Sequence, residues 1–124
     1  MRQPALTSLR TLPTVRRMLT IDEFQRLELR VATILSAEPH PNADRLLVLK
    51  IDLGNEQRQL VAGIRAHYAP ETLVGKQIVV VANIEPATLR GVESQGMILA
   101  ASDTDGRLAI VIPETPVANG ATVK

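Results

Sequence analysis

Short runs of apolar residues recur along the chain, separated by stretches rich in Gly, Pro, Asn and Asp. The clearest run is 46–53, in which Leu47, Leu49, Ile51 and Leu53 alternate with the residues between them, as in a strand with one buried face. The pattern predicts a first strand over 27–37, with Leu29, Val31, Thr33 and Leu35 on one face. Further strands are predicted at 58–63, 78–82, 97–101 and 108–112, with a brief segment at 121–124.

Two short helices interrupt this pattern. Thr20 and Glu23 have the spacing of a capping box, which predicts a helix that ends near Arg26. Pro70 can begin one or two helical turns that Gly75 closes, between the third and fourth strands. This order of elements is that of an OB-fold, although an SH3-like barrel or a small sandwich would also fit. We therefore predict a mainly β protein, an OB-fold with a five-stranded Greek-key barrel, a short helix between strands 3 and 4 and a short N-terminal helix.

Residues 1–17 differ from the rest of the chain. They hold four of the 14 basic residues, two prolines and no acid, so residues 18–124 carry 10 basic and 13 acidic residues. A disordered basic arm, a transit peptide and a misassigned start that precedes a true Met18 would each explain the segment. We favour the arm or the misassigned start, and we place the folded domain at 18–124.

The composition limits the size of the protein and the chemistry that it can perform. A chain of 124 residues is the size of one domain, and no apolar run is long enough for a transmembrane helix, so we expect no membrane partner. Cysteine is absent, which excludes disulfides, thiolate nucleophiles and Cys-based zinc sites. The absence of disulfides fits a reducing compartment, and we expect a cytoplasmic protein.

No catalytic constellation can be assembled from the sequence. His40 and His67 have no neighbouring cysteine, and the calcium-like start at 103–106 lacks the downstream Glu. The glycines at 91 and 96 are not followed by Lys-Ser/Thr, and Ser94 has no partner that marks it as a nucleophile. We therefore predict a binding module without cofactor, metal site or catalytic residue.

The stretch 82–97 is the candidate binding segment. Arg90 could bind a phosphate, Asn83 and Ser94 could bind hydroxyl or phosphate oxygens, and Met97 offers a soft apolar surface. Glycines at 91 and 96 would let the backbone come close to a ligand. The alternative is a polar connection whose glycines and proline only turn the chain.

Several motifs fall in order along the chain at matching spacing. They are Leu29-Arg30-Val31, residues 40–46 (HPNADRL), 61–64 (VAGI), Pro70-Glu71, 74–76 (VGK), 82–84 (ANI) and 90–97 (RGVESQGM). Together they resemble the tRNA-binding domain at the C-terminus of bacterial methionyl-tRNA synthetases, which also occurs as a free-standing, structure-specific tRNA-binding protein and in eukaryotic synthetase-associated factors. The resemblance covers residues 20–124.

The resemblance implies an OB-fold that binds tRNA by shape without reading an anticodon. In bacterial members it also implies a homodimer to which the N-terminal helix and the C-terminal segment contribute. An aminoacyl-tRNA synthetase is a further implied partner. The residues that match the family's RNA-binding positions are Arg30, Asn42, Arg45, Asn83, Arg90, Ser94 and Met97. For Asn42, shaping the loop is the alternative role, and Arg65 and Lys76 are equally compatible with ordinary surface charges.

Two other functions remain open. One is a peptide-binding chaperone that resembles CsaA, and the other is a domain that docks on a synthetase. The intact motifs at 41–44 and 94–97 favour tRNA. We expect the free-standing form because Met18 could start translation. The low aromatic content, Phe24 and Tyr68 only, favours contacts to the RNA backbone over base stacking.

Overall fold

The computed structural model describes residues 17–124, so nearly all of the predicted basic arm lies outside the described residues. One helix, α1, precedes ten short strands, and a 3₁₀ turn lies between β3 and β4. The elements are α1 Ile21–Phe24, β1 Leu29–Pro39, β2 Leu47–Asp52, β3 Gln57–Ala62, the 3₁₀ turn Pro70–Thr72, β4 Gln77–Val81, β5 Ala87–Leu89, β6 Val92–Ser94, β7 Met97–Ile98, β8 Ala100–Ser102, β9 Leu108–Ile110 and β10 Thr122–Val123.

The main sheet is antiparallel and curls into a nearly closed barrel. Its strand order is β3-β2-β1-β4-β7, and β10 also pairs with the start of β1. β1 pairs with β4 through its first half and with β2 through its second half, and a bulge lies between Ile34 and Ser36. A bulge bends its strand, which allows one long strand to serve both sides of the barrel. The predicted mainly β OB-fold is confirmed, with the 3₁₀ turn in the place of the predicted helix.

The barrel interior is aliphatic. Leu47, Leu49 and Ile51 are fully buried and Leu53 nearly so, as the alternation along β2 predicts. Leu29, Val31 and Thr33 lie on one face of β1, as the alternation predicts, and this face is the outer one. Ala32 and Ile34 fill the barrel, whereas Leu35 is 40% exposed. β1 has a buried residue on both faces because its first half is covered from outside as well as from inside.

That outer cover is a second, smaller apolar cluster. Leu29, Val79 and Val81 form its buried part, and Phe24 of α1, Leu99 and Val123 of β10 pack against it. The capping box at the start of α1 is present: the Glu23 amide donates to Thr20 Oγ1 (3.1 Å), and the Thr20 amide donates to Glu23 Oε1 (2.9 Å). The helix therefore begins where the sequence predicts it and brings Phe24 onto the barrel.

The C-terminal segment is fastened to β1 and to the β2–β3 turn. The Gly120 amide donates to the Val31 carbonyl (2.7 Å), and the Ala121 carbonyl accepts from the Val31 amide (2.9 Å). Gly120 has φ +87°, and a Cβ atom there would lie 2.5 Å from the Leu53 carbonyl oxygen. A Cβ at Gly54 would likewise lie 2.6 Å from the Asn119 carbonyl oxygen. Only glycine allows these two turns to approach so closely.

The segment 82–97 contains a hairpin that the hydrophobic pattern does not predict. β5 and β6 pair through Ala87–Ser94, Thr88–Glu93 and Leu89–Val92. Arg90 (φ 52°) and Gly91 (φ 90°) form its two-residue turn, and two positive φ values are typical of a type I′ hairpin. The predicted strand over 97–101 is also divided, because β7 joins the main sheet and β8 pairs with β9.

Candidate nucleic-acid interface

Three arginines from separate segments lie at one end of the barrel, which we call the basic end: Arg45, Arg65 and Arg90. The Arg65 amide donates to the Arg45 carbonyl (3.3 Å), so the β1–β2 loop and the segment after β3 are in contact. The Arg90 guanidinium donates from Nη2 to the Asn42 carbonyl (3.1 Å) in the same loop. All three side chains belong to exposed residues. Within residues 17–124 the ion pairs belong to Arg30, Arg58 and Arg107, so none neutralises the basic end.

A buried histidine joins the β1–β2 loop to the hairpin. His40 is only 3% exposed. Its Nδ1 accepts from the Asn42 amide (2.9 Å), and its Nε2 lies 2.9 Å from the Leu89 carbonyl oxygen. Because Nδ1 accepts, the proton of the neutral ring is on Nε2, which donates to Leu89. The imidazole thus joins residue 42 of the loop to Leu89, which directly precedes the Arg90 turn.

The hairpin is also fastened to β3. The Ser94 hydroxyl, 5% exposed, accepts from the Val61 amide (2.9 Å) and donates to the Gly96 carbonyl (3.0 Å). The Gln59 side chain donates to the Glu93 carbonyl (2.8 Å), and the Gln95 amide donates to the Gln59 carbonyl (2.8 Å). β6 therefore continues the outer surface of β2 and β3. The hydroxyl of Ser94 thus both accepts and donates a hydrogen bond within the protein.

Replacement of Ser94 by Ala should destabilise the domain. The Val61 amide would lose its acceptor at a buried position, which costs about 1–3 kcal/mol of unfolding free energy. Urea unfolding followed by circular dichroism would measure this loss. Ser102→Ala, on exposed β8, is the control and should change the unfolding free energy by less than about 0.5 kcal/mol. Equal stability of the two variants would contradict the bridging role of Ser94.

The other predicted site residues lie at the opposite end of the barrel. Arg30 donates from Nη1 to the Gly120 carbonyl (3.0 Å), and its Nε lies 3.6 Å from Glu28 Oε1. The Asn83 amide group accepts from the Glu28 amide (2.8 Å) and donates to the Arg26 carbonyl (2.6 Å). Met97, 46% exposed, pairs with Val81 at the end of β4.

The seven predicted residues therefore form two groups of three, with Ser94 between them. Arg30 lines a cavity with residues of the β2–β3 turn, which follows the end of β2. Arg45 lies just before the start of β2, at the other end of that strand. Strand β2 separates the two ends by about 20 Å. Asn42, Arg45 and Arg90 lie at the basic end and Ser94 lies between the ends, with Arg30, Asn83 and Met97 at the far end. That each of them contacts RNA stays a prediction.

Sequence reasoning does not show that Arg65 lies beside Arg45, and it does not include the outer surface of β2 and β3. Lys50 and Gln59 are cross-strand partners there, and both belong to the groove that Gln57, Arg58 and Gln95 also line. A signal for this surface exists in the sequence: Lys50 alternates with the buried Leu49 and Ile51, which places it on the outer face.

Two carboxyl groups have perturbed pKa values, and neither belongs to the basic end. The Arg58 side chain lowers the pKa of Glu56 by hydrogen bonding, and the Arg107 backbone amide lowers the pKa of Asp103 in the same way. In the part of the chain that the structure describes, no group of three or more His, Cys, Asp or Glu could hold a metal ion. Over the same residues, no helix has the length and apolar character needed to cross a membrane.

Comparison with known proteins identifies the family. Residues 29–122 match the family described as "Putative tRNA binding domain". The chain belongs to this tRNA-binding domain family. The domain is 53% identical over 105 residues to the methionine–tRNA ligase of Thermococcus kodakarensis. This match covers 85% of the present chain and 14% of that enzyme. It is 50% identical over 106 residues to the ligase of Chlorobium chlorochromatii, covering 86% of this chain and 15% of that enzyme.

Solved structures agree with this family. A MetRS-related protein from Pyrococcus horikoshii superposes with a TM-score of 0.83 at 35% identity, covering 88% of this chain and all of that one. The chaperone CsaA from Bacillus anthracis superposes with a TM-score of 0.80 at 31% identity, covering 87% of this chain and all of that one. The resemblance found in the sequence motifs is thereby confirmed. The domain spans only a small part of the ligases but the whole of these two smaller proteins.

Proposed function

We propose that the domain binds folded tRNA through its sugar-phosphate backbone, without catalysis and without reading a base sequence. The contact surface is the basic end together with the outer surface of β2, β3 and the β5–β6 hairpin. The observation that carries this proposal is that Arg45, Arg65 and Arg90 lie close together on three joined segments, exposed and without an ion pair among residues 17–124. Phosphates are the ligands that such uncompensated guanidinium groups bind best.

The polar character of the surface favours recognition by shape. Phe24 packs in the outer cluster, and the Tyr68 hydroxyl accepts from the Ile110 amide (3.1 Å), so neither ring lies on this surface. Lys50, Gln59 and Gln95 offer donors and acceptors suited to phosphates and 2′-hydroxyls. An OB-fold presents this same part of its barrel to oligonucleotides. Folded tRNA supplies backbone in a fixed arrangement, and an unfolded strand does not.

Several of the predicted site residues act indirectly in this proposal. Arg45 and Arg90 contact phosphates together with Arg65. Asn42 shapes the loop through its backbone, and Ser94 fixes the hairpin to β3. Asn83, Arg30 and Met97 hold the far end of the barrel, where an RNA contact would have to be a second one.

The family supports a proposal for the cellular role. Because close relatives are methionine–tRNA ligases, the domain assists an aminoacyl-tRNA synthetase by retaining cytoplasmic tRNA, either as a separate protein or as part of a longer chain. The second candidate function is a peptide-binding chaperone, which the likeness to CsaA supports. The two candidates differ in the ligand they take on a similar barrel.

The test is a gel-shift titration of residues 18–124 with folded bulk tRNA, heat-unfolded tRNA and single-stranded DNA. We expect binding at about micromolar concentration to folded tRNA and much weaker binding to the others. Binding to none of them, or equal binding to all three, would contradict shape recognition and favour the chaperone.

We also infer that the domain is a homodimer. Met18, Leu19, Ile21, Leu27 and Ile84 are 44–82% exposed and lie on or beside α1, a group we call the N-terminal apolar face. Leu27 and Ile84 line one cavity of about 370 Å³ with Val81. Exposed apolar residues concentrated in one place mark an interaction surface, and a two-fold axis would bury this face against itself.

Sedimentation equilibrium would test the dimer. The wild-type domain should have twice the mass of one chain, and Leu27→Asp should be monomeric because the charge would be buried at the interface. Leu35→Asp is the matched control: Leu35 is 40% exposed against 48% for Leu27, but it lies in the other half of β1. A monomeric wild type, or equal effects of the two variants, would contradict this interface.

A further inference from the structure

We propose that His40 is a positioning residue for RNA binding, which as a neutral imidazole joins the β1–β2 loop to the Arg90 turn and on protonation releases the loop. The inference rests on the proposed function, because it assigns Arg90 to the RNA-binding surface. Its consequence is an affinity for tRNA that falls on acidification.

The His40 ring accepts one hydrogen bond and donates another. The Asn42 amide donates to Nδ1 (2.9 Å), and Nε2 donates to the Leu89 carbonyl (2.9 Å). Only the neutral ring with its proton on Nε2 satisfies both partners, since a protonated imidazole carries N–H on both nitrogens. Protonation would place an N–H on Nδ1, opposite the N–H of the Asn42 amide, and the hydrogen bond between them would be lost. The ring is 3% exposed, so water cannot easily replace the lost acceptor.

Both contacts of His40 affect the position of the Arg90 side chain. Leu89 directly precedes Arg90, and Asn42 supplies the carbonyl that accepts from the Arg90 guanidinium (3.1 Å). Movement of residue 42 away from the protonated ring would therefore disturb the guanidinium contact as well. Arg90 itself has φ 52°, an uncommon value for a residue other than glycine, so its conformation depends on such supports.

The segments that contact His40 carry several charged residues. They are Glu38 on β1, Asp44 and Arg45 in the β1–β2 loop, Lys50 on β2, and Arg90 and Glu93 in the hairpin. Within the described part of the chain none of the carboxylates forms an ion pair with the imidazole. A proton on His40 would therefore gain no carboxylate partner there in exchange for the bond it breaks.

The expected change of tRNA affinity on acidification is opposite to the change that most nucleic-acid-binding proteins show. Acidification ordinarily strengthens the binding of a protein to nucleic acid, because carboxylates lose and histidines gain charge. Here we expect the affinity for folded tRNA to fall about three- to tenfold between about pH 8 and the lowest pH at which the domain stays folded. Fluorescence anisotropy at constant ionic strength would measure it.

Three variants separate positioning from a general effect. His40→Asn can keep an acceptor near the Asn42 amide, and His40→Gln can keep a donor near the Leu89 carbonyl, but neither takes up a proton in this range. Both should lose the fall in affinity on acidification. His67→Asn, at an exposed position, is the matched control and should keep it. A wild-type affinity that stays constant or rises on acidification, or a fall that persists in both His40 variants, would overturn the proposal.

A measurement on the wild-type protein without RNA keeps the inference testable if the variants do not fold or tRNA does not bind. The ¹⁵N shifts of the His40 ring report its tautomer and its protonation, and the amide shifts of Leu89 and Gly91 report the turn. We expect the ring to have its proton on Nε2 and the turn amides to shift together with its protonation. Turn amides that do not move as the ring titrates would overturn the proposal. Absence of tRNA binding at every pH would instead contradict the proposed function.

Discussion

Replacement of Arg45, Arg65 and Arg90 together by Gln is expected to weaken the binding of folded tRNA about 10- to 100-fold. Each guanidinium is exposed and lacks an ion pair within residues 17–124, so each is free to neutralise a phosphate. A variant that neutralises fewer phosphates also releases fewer counterions. The slope of log affinity against log salt should therefore become shallower by about 0.7–0.9 for each phosphate that is no longer neutralised.

The matched control is Arg107→Gln. This arginine is also exposed, but its guanidinium already forms ion pairs with Asp103 (2.8 Å) and Asp105 (3.1 Å) in the β8–β9 turn. Its loss should leave the affinity and the salt slope unchanged. The triple variant should unfold at nearly the same denaturant concentration as the wild type, because surface changes of this kind have small effects on stability. Wild-type affinity in the triple variant would show that the RNA-binding surface lies elsewhere, at the far end of the barrel or on the N-terminal apolar face.

Replacement of Gly120 by Ala is expected to cost about 3 kcal/mol of unfolding free energy or more. Two effects add at this position. The φ of +87° is unfavourable for any residue with a Cβ, and that Cβ would lie 2.5 Å from the Leu53 carbonyl oxygen, which is main chain and cannot rotate away. The C-terminal segment would have to leave its place beside β1. Urea unfolding of the variant would measure the loss.

Gly106→Ala is the control that separates these two effects. Gly106 has nearly the same φ, +85°, but no atom lies within 4 Å of the position that a Cβ would take, so the change should cost only about 1 kcal/mol. The difference between the two variants is the contribution of the close approach to Leu53. Equal losses of stability would show that the C-terminal segment is held loosely and that only the backbone conformation matters.

The parts of the fold that could be predicted are those in which burial follows a local period. β2 alternates buried and outward residues without interruption, and the capping box of Thr20 and Glu23 is a contact between residues close in sequence. For β1 the alternation predicts which residues share a face but not that both faces are covered, since the outer cluster buries Leu29 as well. The β5–β6 hairpin could not be predicted because its residues are mostly exposed and Arg occupies a turn position where Asn, Asp or Gly is usual.

The sequence predicts which segments contribute to the candidate site but not how their side chains are arranged. The motifs at 40–46 and 90–97 indicate segments that the structure brings into contact through Asn42 and Arg90, with Arg45 at the same end of the barrel. No sequence rule shows that the Ser94 hydroxyl is buried under β3, or that the Arg65 amide meets the Arg45 carbonyl. Both facts depend on pairings between distant segments. The role of His40 is hidden for the same reason, because its partners are a loop amide and a hairpin carbonyl.

Phe24 near the start of the fold and Val123 near its end pack on the same outer cluster, at the end of the barrel opposite Arg45 and Arg90. A polypeptide joined at either terminus would therefore leave the barrel on the side away from the basic end. Such a connection would place few atoms between the arginines and an approaching tRNA. The same barrel could thus serve as a separate protein or as an appended module without any change to the basic end, where we propose that tRNA binds.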